Sequence, residues 1–182
     1  MTRKRILGLI LAIASVCILS LYHGCGGGGG GGGGGTATFT ATITPTQGAL
    51  ITDPIQISNA NHASYLYFDG IHEITIRGDV FSGDQVTAFV TIDCWLHSLD
   101  AGQYPIIMSP VVGECSGMVG AVGNNSSDQN NYSAQDDNPG TLTIATSDQN
   151  SISGSFNFYA KVSGQDEEVR VEGSFELPLS TD

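Results

Sequence analysis

From Thr36 onward, apolar and polar residues alternate one for one, and that period decides what kind of structure the chain can form. Ala37, Phe39, Ala41 and Ile43 alternate with Thr36, Thr38, Thr40, Thr42 and Thr44. This gives a strand with one apolar and one hydroxyl face. The same period returns in Val86, Ala88, Val90 and Ile92, in Leu142 and Ile144, in Phe156, Phe158, Ala160 and Val162, and in Val169, Val171, Phe175 and Leu177. Shorter strands are expected at Ile55–Ser58, Tyr65–Phe68, Ile71–Arg77, Tyr104–Met108 and Met118–Val122. Turn formers separate them, among them Asp69-Gly70, Gly83-Asp84 and Pro139-Gly140. No segment after Gly35 sustains a helical period. About eight to ten half-buried strands need a second sheet or a closed barrel to cover them. The expected fold of residues 36–182 is therefore all-β, an antiparallel β-sandwich with a β-barrel as the alternative.

Ahead of this domain stands an unbroken glycine run, Gly26–Gly35, which holds 10 of the chain's 25 glycines. Polyglycine has nothing to bury and the most backbone entropy to lose, so it behaves as a coil spanning roughly 17–19 Å end to end. Residues 25–35 read as a tether. The flanks lack the strand, helix and Lys-Ser/Thr that a phosphate-binding glycine loop needs.

The first 24 residues have a basic start (Arg3, Lys4, Arg5), an apolar zone from Ile6 to Leu21 and a short polar exit ending in Gly24-Cys25. That is the layout of a secretory signal peptide. With Gly24 directly before Cys25 it resembles a bacterial lipobox, which implies cleavage after residue 24 and a palmitate-bearing, diacylated Cys25 at the new N-terminus. An uncleaved signal anchor is the alternative, since the apolar zone is slightly short of the ~20 residues that span a bilayer. The sequence as a whole carries a net charge of -12. Without residues 1–24, the remaining bases Arg77, Lys161 and Arg170 face 18 acids, a net charge of -15. Such a chain is repelled by nucleic acid and by anionic headgroups, so membrane attachment falls to the lipid. Gly26 stands where an Asp resembles an inner-membrane retention signal, and the outer membrane is the expected location.

Of four cysteines, Cys17 lies in the signal and Cys25 takes the lipid, leaving Cys94 and Cys115. Export to an oxidising compartment favours a disulfide between them. Closing that loop would stabilise the fold by about 3 kcal/mol on the chain-entropy account.

In the C-terminal third, Gly140–Ile144, then Asp148, Ile152–Phe158 and Val169–Phe175 resemble the closing strands of a bacterial envelope lipoprotein domain of unknown function. An early strand like Phe39–Ile43 and a Gly-x-Tyr-Pro stretch like Gly102–Ile106 are similar too. The resemblance implies a β fold and an envelope location, and it transfers no catalytic residue. Asp148–Asn150 is expected to form the hairpin turn, with Gly154 and Gly173 marking bulges or close backbone approaches.

Chemistry is sparse. His62, His72 and His97 show no metal-ligand spacing with one another, and Cys94 with His97 is a single pair of donors with no second pair behind it. A thiol-dependent hydrolase would need Cys115 as nucleophile, His97 as base and Asp93 or Asp100 to orient it, and this conflicts with the expected disulfide. Gly113–Gly117 is not a serine nucleophile elbow, because its serine sits one place late. Asp128, Asp136 and Asp137, with Asn130 and Asn138, offer hard oxygens to calcium, but in an order that breaks the EF-hand loop. Asx side chains in loops more often bond their own backbone. Ser127–Asn130 and Ser147–Asn150 share one four-residue sequence and read as two similar turns. Tyr65, Tyr67, Tyr132 and Tyr159 are candidates for stacking on sugars. The expected function is a non-enzymatic, lipid-anchored envelope module with no cofactor, binding a protein or glycan partner or serving as a spacer. The alternatives are the thiol hydrolase and a calcium-dependent adhesion module.

Overall fold

The computed structural model describes residues 37–46, 48–49, 51–58, 62–122, 129–148, 150–162 and 166–179, without the side chains of residues 122, 129 and 130. All belong to a compact unit, Gly34–Asp182. The signal peptide, Cys25 and the glycine tether lie outside the described residues, as does Asp128.

The described residues form eleven strands: β1 (Thr38–Pro45), β2 (Ile55–Ile57), β3 (His62–Phe68), β4 (Ile71–Ser82), β5 (Gln85–Leu96), β6 (Gly102–Ile107), β7 (Glu114–Val122), β8 (Gln129–Ala134), β9 (Gly140–Ser147), β10 (Ser151–Lys161) and β11 (Glu168–Pro178). The described residues contain no helix. The strands hydrogen-bond in the order β2-β1-β11-β10-β9-β6-β7-β5-β4-β3, and β8 pairs with both β10 and β7. The path β10-β9-β6-β7-β8 thus returns to β10 as a closed five-stranded circuit. Its strands share edges economically: β10 pairs with β9 over Ile152–Asn157 and with β8 at Ala160 and Lys161. All neighbours are antiparallel except β6 and β7.

The all-β expectation is met, and of its two forms the strand pairing shows the barrel. The strand that closes the circuit, β8, comes from the Asn/Asp/Ser-rich stretch before Pro139, where no strand was expected. Two wings extend from the circuit, β11-β1-β2 from β10 and β5-β4-β3 from β7. They pack on each other through β1, β2 and β4. Gly78 of β4 makes this approach close, since a Cβ there would lie 2.5 Å from Phe39 Cδ1 and 2.6 Å from Ile57 Cγ2.

One continuous apolar core fills the interior. Phe39, Ile43, Ile92, Leu142, Phe158 and Val171 are among its fully enclosed members. The Phe39 and Phe156 rings stack at 5.4 Å, joining β1 to β10. The side chains that line this core are the apolar half of the alternation along each strand, as period two requires.

The expected turn at Asp148 is present. Its backbone N–H donates to Ser151 O, and its carboxylate accepts the N–H groups of Asn150 (2.7 Å) and Ser151 (2.8 Å). Those two bonds hold the Asp148 carboxyl below its ordinary range. Gly154 sits at a bulge against β9. At Gly173 a Cβ would run into the Thr40 carbonyl, so both glycines serve the close approaches expected of them.

Candidate functional site

Strand register places the outward residues of β3, β4, β5 and β7 in four bands. The first runs Leu66-Glu73-Trp95-Glu114, with Phe68 paired to Ile71 beyond it at the hairpin tip. The second is Ser64-Thr75-Asp93-Ser116, the third His62-Arg77-Thr91-Met118, and the fourth Asp79-Phe89-Gly120. The opposite partners in these strands, such as Ile74, Ile76 and Ile92, are buried in the core.

Each band has its own chemistry. In the fourth, the Phe89 ring fills the space above Gly120 and is roofed by the Arg77 guanidinium, 4.3 Å from its centroid. Arg77 Nε in turn donates to Asp79 Oδ1 at 2.7 Å. In the second, Thr75 Oγ1 donates to Asp93 Oδ1 at 2.7 Å. Burial pushes the Asp93 carboxyl above its ordinary range, an effect partly offset by the Thr75 hydroxyl and the nearby His62.

The first band holds a hollow of about 180 Å³ lined by Leu66, Phe68, Ile71, Glu73 and Trp95. Among these five, Glu73 alone carries a charge, and the Trp95 indole N–H is the other polar group beside the aliphatic and aromatic walls. No described cation lies in ion-pair range of Glu73, because Arg77, Lys161 and Arg170 are engaged with Asp79, Glu168 and Glu172.

β3 ends the strand order, and among the described residues it pairs only with β4. Leu66 and Tyr67 are each 57% exposed and Phe68 is 74% exposed. The loop leading into β7 adds exposed Met108, Val111 and Val112. It is fixed beside the hollow: Gly113 N donates to Trp95 O, and Glu114 Oε2 accepts Val111 N at 2.9 Å. On the other face of the same hairpin, Tyr65 Oη and His72 Nδ1 are hydrogen-bonded at 2.8 Å, and the Tyr67 ring leans on His72 at 4.8 Å. Burial lowers the His72 pKa and raises that of Tyr65, the latter with help from Tyr67. The edge strand therefore carries aromatic or apolar neighbours on both faces.

The sequence-predicted chemistry is dispersed. Cys94 and Cys115 are opposite partners on β5 and β7 and form a disulfide, so the nucleophile of the thiol-hydrolase alternative is spent in this state. His97 is exposed at the end of β5. Asp136 Oδ1 accepts the N–H groups of Met108 (2.9 Å) and Ser109 (3.3 Å), while Asp137 is exposed. Among the described residues no three His, Cys, Asp or Glu side chains are grouped to hold a metal ion. Tyr132, expected as a stacking surface, is fully buried, whereas Tyr67 is exposed. The hollow was missed because its five lining residues come from three strands and only the pairing register unites them.

In comparison with known proteins, no family model, no curated protein and no solved structure matches this chain.

Proposed function

We propose that the protein is a bacterial envelope lipoprotein, anchored by an acylated Cys25 in the outer membrane, whose β domain is a non-catalytic binding module for a protein partner. The observation that carries the binding reading is the open edge of β3 beside the Trp95 hollow. Exposed Leu66 and Phe68 stand together on one face of that edge next to the hollow, with exposed Tyr67 on the other face. A contiguous apolar surface of this kind marks an interaction site. The Cys94–Cys115 disulfide supports an oxidising compartment, and the net charge of -15 beyond residue 24 supports attachment through a lipid.

A protein partner is favoured over a glycan by the lining of the hollow. Sugars need several hydrogen-bonding groups beside an aromatic platform, and the five lining residues offer only the Glu73 carboxylate and the Trp95 indole N–H. Metabolic labelling with palmitate tests the anchor: the wild-type chain takes up label and sediments with membranes, and Cys25→Ser does neither. Undiminished labelling of Cys25→Ser would remove this reading of the N-terminus.

A further inference from the structure

We infer that β3 is a strand-addition edge, and that its occupant is an extended segment of a partner protein with a lysine or arginine directed across Leu66 to Glu73. The inference rests on the binding-module reading and supplies the chemistry of the partner.

Three features converge on that occupant. An exposed edge strand offers unpaired N–H and C=O groups to one more strand, and proteins ordinarily protect such edges with charge, proline or a covering element. Among the described residues β3 has none of these along its exposed end: Leu66, Tyr67 and Phe68 are uncharged, no proline lies in His62–Phe68, and β4 is its one strand partner. Strand addition gains affinity from main-chain bonds and specificity from the places where alternate side chains land. Both sets of alternate side chains find a surface here. One set meets Tyr67 and the Tyr65–His72 pair, and the other meets the Leu66, Phe68, Ile71 and Trp95 hollow.

Charge selects among strands that could add. The residue of an added strand beside Leu66 would stand two strand spacings, about 9.6 Å, from Glu73. A long aliphatic stem can lie over Leu66 and Trp95 while its cationic head reaches the carboxylate. Glu73 has no cation within ion-pair range among the described residues, and all three cations of the domain are already paired with acids. A second copy of this chain would bring another strongly acidic domain and no free Lys or Arg. A basic segment is drawn toward the same surface.

The probes are capped heptapeptides alternating valine and threonine, with lysine, norleucine or glutamate at the central position. The chain's single tryptophan, Trp95, lies in the hollow, so its emission reports occupancy in the purified full-length protein. The lysine peptide is expected to shift Trp95 emission and to bind about tenfold more tightly than the norleucine peptide at low salt. That margin should narrow as salt is raised. Glu73→Gln is expected to abolish the lysine preference while leaving the norleucine affinity in place. Leu66→Lys, at an exposed position, should weaken every peptide.

Equal binding of the lysine and norleucine peptides, or no Trp95 response to any of them, overturns the inference. So does sedimentation showing a dimer that Leu66→Lys dissolves, which would assign the edge to a second copy. Palmitate labelling of Cys25 is independent of all these outcomes, so the anchor reading and the strand-addition inference fail separately.

Discussion

Gly78 of β4 lies directly against the ring of Phe39 on β1, with no room for even one methyl group between them. These two strands belong to opposite wings of the sheet, so the absence of a side chain at Gly78 is what lets the wings share one core. Gly78→Ala is expected to force Phe39 and Ile57 off their positions and to cost about 1–3 kcal/mol, as overpacking does. Gly102→Ala is the control. The nearest atom to a Cβ there is 3.8 Å away, and the change should stay within about 0.5 kcal/mol. Urea midpoints of the two variants compare them directly, and equal midpoints would contradict close packing of the wings.

Cys94 and Cys115 close a loop with a sequence separation of 21 between central strands. Replacing both by alanine is expected to remove about 3 kcal/mol of stability. For a domain of this size that corresponds to a melting temperature lower by about 6–12 °C. Reductant should lower the wild-type melting temperature and leave the double variant unchanged. An unreduced mass heavier by two hydrogens would show two free thiols and would count against the structure.

Burial disfavours the charged form of the Asp93 carboxyl. Its native pKa is raised above the ordinary value of 3.8, so the folded state holds the proton more tightly than the unfolded state. The carboxyl therefore favours folding at low pH, and that contribution is lost as pH rises from 3.8 through the native value. Asp93→Asn keeps an acceptor for the Thr75 hydroxyl and removes the ionisation. The variant is expected to melt above wild type at pH 7, with the gain vanishing below pH 3.8. A variant that melts lower at pH 7 would mean that the carboxylate has a partner worth more than its burial costs.

Period-two alternation was enough to place β1, β5, β10 and β11, because each buries one face and a strand that does so must alternate. It could not find β8, where Tyr132 and Ala134 are the only apolar residues in Gln129–Ala134. That strand is held by pairing on both sides, to β7 and to β10, and pairing leaves no periodic mark in a polar sequence. Without β8 the remaining strands would suit two open sheets; with it the chain closes a circuit. The aromatic and apolar run Tyr65–Phe68 likewise announces a strand without saying whether it is central or at an edge. Edge position follows from the whole topology, and with it the exposure of Leu66 and Phe68. Local chemistry was more legible: the Asp148 turn and the Gly154 bulge depend on neighbours close in sequence or on one adjacent strand.

Asp136 holds the loop beside the hollow by accepting the N–H groups of Met108 and Ser109. A carboxylate in this role receives two charge-assisted bonds from backbone that would otherwise exchange freely with water. Asp136→Ala is expected to accelerate hydrogen exchange at those two amides by about tenfold, the equivalent of one net hydrogen bond, while amides in β5 and β10 keep their protection. The same substitution bears on the calcium alternative. If Asp136 serves the loop, wild-type melting temperature is unmoved by millimolar calcium or by chelator, and Asp136→Ala lowers it equally in both. A calcium-dependent rise in the wild type that disappears in Asp136→Ala would instead make this carboxylate a ligand, and the Met108–Gly113 loop part of a calcium site.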